Sequence, residues 1–93
     1  MRKYGIEYDE AKRLKTLEER GIDFADAGSI FEGDVLTRED DRQDYGEIRL
    51  QTLGKQHDVI VVVVWTMRGE NRRIISMRRA NERERKNYEE QMG

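Results

Sequence analysis

The chain has 93 residues, 35% hydrophobic and 41% charged, with a net charge of −2, which fits one small domain, residues 1–93, with a thin core. It has no cysteine, so disulfides, thiolate metal sites and cysteine nucleophiles are excluded. Its longest apolar run, Val59 to Trp65, is far shorter than the ~20 residues of a membrane-spanning helix, and the polar opening MRKYGIEYDE is not that of a secretion signal, so a cytoplasmic location is expected.

Residues 9–20 read as a helix. Asp9 is placed to cap it, Ala11, Leu14 and Leu17 give one apolar stripe, and Gly21 sits where a left-handed terminator belongs. A second helix follows in IDFADAGSIFEG. Asp23 caps it with Asp26 three residues on, Phe24, Ala27, Ile30 and Phe31 form its apolar face, and Gly33 ends it. A brief strand covers Val35 to Thr37, and the acidic segment REDDRQD reads as a solvated turn. Residues Glu47 to Leu53 alternate apolar and polar, the pattern of a half-buried strand. GKQHD is expected to turn the chain into a central strand, Val59 to Met67, whose β-branched run implies burial on both faces. RGEN turns it back into a last strand, Arg72 to Arg79. The charged segment NERERKNYEEQM is a helix with Asn81 and Glu84 as a capping-box pair and Tyr88 and Met92 as apolar anchors. The expected fold is therefore α+β: two N-terminal helices, a four-stranded, mainly antiparallel sheet with helices on one face, and one C-terminal helix.

Charge is unevenly placed. Residues 1–58 sum to −5 and residues 59–93 to +3. Between Arg68 and Arg79 five arginines, Arg68, Arg72, Arg73, Arg78 and Arg79, face one acid, Glu70. If the five residues Gly54 to Asp58 close the hairpin, Leu53 lies opposite Val59, Arg49 opposite Val63 and Glu47 opposite Trp65. Ile48, Leu50, Thr52, Ile60, Val62 and Val64 then face the N-terminal helices. The open face carries Glu47, Arg49, Gln51, Val61, Val63, Trp65 and Met67. With Met67 opposite Arg73, the open face gains Arg73, Ile75, Met77 and Arg79; a slip of one residue brings Arg72, Ser76 and Arg78 instead. Arginines on a rigid sheet beside a tryptophan suit a nucleic acid, since guanidinium forks bind phosphate and the ring stacks on a base. The bland reading is that such charge is only a solvated surface. His57, the single histidine, falls in a turn, REDDRQD lacks the glycine and spacing of a calcium loop, and there is no phosphate-cradling glycine loop. Non-specific DNA binding is disfavoured by the negative net charge.

The segments YDEAK, GIDFADA with Phe31 after it, REDDRQDYGEIR, the valine-rich strand ending WTMRG, and RRIISMRRANERERKNYE together resemble the BrnT-type toxins of bacterial type II toxin–antitoxin systems. DYGEIR and RIISMRRA are the most specific parts. The matching positions are Asp9, Lys12, Gly21, Phe24, Phe31, Gly46, Glu47, Arg49, Arg73, Ser76, Arg78, Ala80 and Tyr88. The resemblance implies a compact ribonuclease with a fold similar to the RelE toxins. It also implies a cognate antitoxin with a ribbon-helix-helix DNA-binding segment, which masks the toxin in a two-by-two complex and represses the shared operon. The chain departs from the family in having Tyr8 for a tryptophan, Thr16 for an asparagine, and Glu19-Arg20-Gly21 for Lys-His-Gly. The expected chemistry is metal- and cofactor-independent RNA cleavage by the substrate's own 2′-hydroxyl, inhibiting translation. In it Arg73 and Arg79 hold the scissile phosphate, Arg49 adds charge, and Glu47 serves as base or orients Arg49. Trp65 stacks a base, and Arg68, Arg78 and Lys12 contribute to RNA binding. The alternative is a non-catalytic binding subunit that completes an antitoxin-containing repressor complex.

Overall fold

The computed structural model describes residues 4–92. Its order is β1 (Gly5–Glu7), α1 (Glu10–Arg20), a 3₁₀ turn (Phe24–Asp26) continuing into α2 (Ala27–Glu32), β2 (Leu36–Glu39), β3 (Leu50–Gln56), β4 (Val59–Arg68), β5 (Asn71–Arg79) and α3 (Glu82–Met92). The strands form one sheet in the order β1-β5-β4-β3-β2. Neighbours are antiparallel except β1, which runs parallel to β5 through Gly5–Asn71, Ile6–Arg72 and Glu7–Arg73. The sheet is thus five-stranded and mixed where four strands were expected. The extra strand is three residues long, too short to show a period of two.

The local signals hold. The Asp9 carboxylate accepts from the Ala11 and Lys12 amides, and Gly21 ends α1 at φ 69. Asp23 caps the 3₁₀ turn through the Ala25 amide. Asp26, expected to complete a capping box, instead accepts from the Gln56 side-chain Nε2 at 2.7 Å. In α3 the box is complete: Glu84 N–H donates to the Asn81 side chain at 2.8 Å, and Asn81 N–H to the Glu84 carboxylate at 2.9 Å.

The β3–β4 register differs from the expected one. The turn is only His57 and Asp58, both at positive φ (49° and 68°), the conformation of a two-residue hairpin turn whose twist matches the strands. Gln56 therefore pairs with Val59 and Leu50 with Trp65. Relative to a five-residue loop this is a shift of three positions, an odd number, so the faces exchange. Val61, Val63 and Trp65 pack with Ile22, Phe24, Ala27, Ile30, Ile74 and Met77 under the N-terminal elements. Leu53, Ile60, Val62 and Val64 pack on the opposite face with Ala80 and with Tyr88 of α3. Helices thus cover both faces, which is why the valine run is apolar throughout. Gly54 belongs to β3. A Cβ there would lie 2.7 Å from the Ile30 side chain, so the glycine lets α2 settle onto the sheet. α1 buries no residue. Leu14 and Leu17 remain exposed, and the helix is tied down by polar contacts: Arg13 to Asp23 at 2.8 Å and Arg20 to the Met77 carbonyl at 2.7 Å.

Candidate nucleic-acid interface

The arginine face is set by an irregularity in β5. Trp65 pairs with Ile74 and Val64 with Ser76, so Ile75 is an extra residue, a β-bulge. Arg73, opposite Thr66, and Arg78, opposite Val62, therefore point to the same face although five residues apart. Arg72 and Arg79 point to the other. Neither anticipated grouping, Arg73 with Arg79 or Arg72 with Arg78, survives, because both assumed an unbroken alternation.

On the Arg73 side the sheet continues into the segment before β3. The Arg49 carbonyl accepts from the Asp40 amide at 2.7 Å, and the Thr66 hydroxyl donates to the Ile48 carbonyl at 2.7 Å. Glu47 lies between two cations: the Arg49 Nε donates to it at 3.3 Å, and Arg68 stands 3.7 Å away. Arg73 is 3.9 Å from Glu7. Arg49, Arg68, Arg73 and Glu47 are thus brought to one part of one face, with two strand spacings of about 5 Å each separating Arg73 from Arg49. The Arg49 guanidinium also lies over the Tyr45 ring, 4.0 Å from its centroid.

The segment expected to be a solvated acidic turn organises this region. Asp40 is only 5% exposed. It accepts two bonds from the Arg42 guanidinium at 2.7 and 2.8 Å, and the Tyr45 hydroxyl lies at 3.4 Å. The Arg42 guanidinium holds the Asp40 carboxyl down to about 2 despite burial. Nothing in the sequence distinguishes Asp40 from its acidic neighbours.

Nearer α3, Arg78 makes a paired contact with Glu84 at 2.8 and 2.9 Å. This contact holds the buried Glu84 carboxyl below its ordinary value and raises Arg78 further. Arg38 of β2 donates to Gln51 at 3.0 Å and lies 4.0 Å from Glu84. The capping box was legible in Asn81 and Glu84, but the second role of Glu84 was not, because it depends on the face Arg78 takes.

Three expected site residues lie elsewhere. Trp65 is 7% exposed. Its ring meets Phe31 edge-on at 5.2 Å and its indole N–H donates to the Thr52 hydroxyl at 2.8 Å, a placement incompatible with stacking on a base. Arg79 lies beside Leu17 and Val59 on the opposite face. Lys12 lines a groove between α1 and β5 with Lys15, Thr16 and Arg20. Arg72 is enclosed by aromatic rings, 4.1 Å from Phe31 and 5.3 Å from Trp65, and burial pushes its pKa down. Among the described residues no group of three or more histidines or acids is placed to hold a metal ion, and no helix is long and apolar enough to cross a membrane.

Guanidinium groups ordered by carboxylates on the part of a small α+β sheet left open by α3 define a surface suited to phosphate esters. Residues 8–84 match the family described as "Ribonuclease toxin, BrnT, of type II toxin-antitoxin system", and the chain belongs to that family of ribonuclease toxins. A type II toxin has a protein antitoxin as its partner. Among curated proteins, none matches the chain.

Proposed function

We propose that the chain is an endoribonuclease that cleaves RNA without a metal ion, inhibits translation, and is neutralised by a ribbon-helix-helix antitoxin in a two-by-two complex. The observation that carries the catalytic part is that Arg49 and Arg68 flank Glu47 while Arg73, beside Glu7, lies across the sheet on the same face. Each acid there faces a guanidinium, an arrangement suited to ordering cations around a phosphate rather than to gathering ligands on a divalent ion. Arg73 and Arg49 flank the scissile phosphate and stabilise the charge that builds on it. Glu47, between Arg49 and Arg68, takes the proton of the 2′-hydroxyl. The 2′-oxygen attacks the adjacent phosphorus and the bond to the 5′-oxygen breaks. A 2′,3′-cyclic phosphate is left, with a 5′-hydroxyl that takes its proton from water. Arg78, held by Glu84, binds a neighbouring phosphate.

The test uses purified chain and bulk RNA, with and without a chelator. Cleavage should resist the chelator. Arg73→Ala should reduce it by about 10²–10³-fold, the loss seen when one transition-state donor is removed. The thermal melt should barely change, because a long, half-exposed pair such as Arg73–Glu7 at 3.9 Å is worth no more than about 0–1 kcal/mol. Cleavage that survives Arg73→Ala, or that the chelator abolishes, overturns the reading.

A second reading is favoured by two observations: Arg49, Arg68, Arg73 and Arg78 each have a carboxylate neighbour already, and Trp65 is withdrawn into the core. On that reading the chain is a non-catalytic binding subunit of an antitoxin-containing repressor. Absence of cleavage under every condition of the same assay would select it.

A further inference from the structure

Among the described residues β2 is one of the two edge strands of the sheet, with a neighbour on one side only. The direction of its backbone groups follows from one bond. Asp40 N–H donates to the Arg49 carbonyl at 2.7 Å, which extends the β2–β3 ladder by one residue. In an antiparallel ladder both backbone groups of a residue point the same way and alternate along the strand. Asp40, Arg38 and Leu36 therefore turn theirs toward β3, and Thr37 and Glu39 turn theirs outward. Thr37, Arg38 and Glu39 are all exposed. The outward row thus offers two donors and two acceptors to solvent, the template onto which another strand adds.

The side chains beside this edge define what fits. Leu36 and Arg38 share the α3 face of the sheet. Leu36 lines a groove of about 200 Å³ with Thr37, Leu53, Asn87 and Gln91. Arg38 lines the same groove and lies near the Arg78–Glu84 pair. A strand laid along β2 would send alternate side chains onto this face, one over Leu36 and the next over Arg38. The first site is apolar and the second cationic.

We propose that the β2 edge is a docking site for an extended protein segment carrying an apolar residue and, two positions away, an acidic one. The bound segment becomes a sixth strand. Its carboxylate meets Arg38 and lies next to Arg78, so that docking also places negative charge beside the arginine face. The proposal rests on the protein partner that family membership implies and not on the catalytic reading.

The probe is an octapeptide alternating threonine with valine or glutamate in turn, titrated into the full chain and followed by backbone amide NMR and hydrogen exchange. The Thr37 and Glu39 amides should exchange freely in the unbound chain and slow by about tenfold or more on saturation, the change expected when an open amide gains a strand partner. A peptide with lysine for glutamate should bind at least about tenfold more weakly, equivalent to about 1.4 kcal/mol. Glu39→Pro removes an outward N–H, which an edge strand tolerates, and should weaken binding to a similar extent. RNA cleavage by the free variant should be unchanged, which separates this proposal from the catalytic one. Equal binding of both peptides overturns it, as do effects confined to other amides or no binding at millimolar peptide. Protection of Thr37 and Glu39 that grows with chain concentration alone would assign the edge to a second copy of the chain, and protection by a short RNA would assign it to nucleic acid; either result overturns the proposal.

Discussion

Trp65→Phe should destabilise the chain substantially and leave RNA affinity of the folded protein unchanged. The Trp65 indole N–H donates to Thr52 at 2.8 Å, and losing that bond costs about 1 kcal/mol. The smaller ring leaves unfilled space against Phe31, whose ring meets Trp65 edge-on in the core under the N-terminal elements. Complete truncation of a buried aromatic costs about 3–5 kcal/mol, so the partial truncation accounts for roughly 1–2. The sum, roughly 2–3 kcal/mol, corresponds to a drop of about 10–20 °C in melting temperature for a domain of this size. Circular dichroism melts of both proteins provide the measurement. Trp65 is the single tryptophan, so the wild-type chain supplies an independent readout. Its emission should be blue-shifted and poorly quenched by acrylamide, and RNA should leave it unchanged. A variant melting within about 3 °C of wild type, or an emission strongly quenched by RNA, would mean that the Trp65 ring is not held in the core.

Two further outcomes follow from the packing and the charges. Gly54→Ala places a methyl 2.7 Å from the Ile30 side chain, an overpacking that should cost about 1–3 kcal/mol in urea denaturation; an unchanged midpoint would mean that α2 does not sit on β3. Asp40 titrates at about 2 in the folded chain against an ordinary 3.8. A lowered folded value means that its stabilisation is complete above pH 4 and lost as pH falls from about 4 to 2. Asp40→Asn should flatten that part of the melting-temperature profile, and a variant with the wild-type slope would show that Asp40 is not held by Arg42.

What was legible in the sequence was local. The caps of α1 and α3 involve residues two or three positions apart, and such patterns survive any tertiary arrangement. The sheet register was not legible, for two identifiable reasons. Gly54 resembles a turn residue, yet its role is to admit Ile30 across the sheet, and this moved the apparent turn. The real turn is made by His57 and Asp58 in left-handed conformations, which side-chain chemistry alone permits without demanding. The bulge at Ile75 is marked by no glycine. The candidate site inherited both effects. Glu47, Arg49, Arg68 and Arg73 came together because each sits on a strand or its extension at the same end of the sheet. Arg79 and Trp65 were lost to the opposite face, and Asp40, Tyr45 and Glu84 were missed because their importance lies in contacts that only the folded chain creates.

Ile75 makes the arginine face a matter of parity. Positions 73 and 78 differ by an odd number, and in an uninterrupted strand odd spacing separates side chains. The single inserted residue makes the count even. Deleting Ile75 would remove no charge and one half-buried aliphatic side chain, yet it would turn Arg78 away from Arg73 and deprive Glu84 of its paired contact with Arg78. Length in this strand is therefore more constrained than residue identity. The segment should accept many substitutions among β-branched residues while refusing any change of one in its number of residues, and a scan of single deletions through residues 74–77 should be uniformly damaging where a scan of conservative replacements is not.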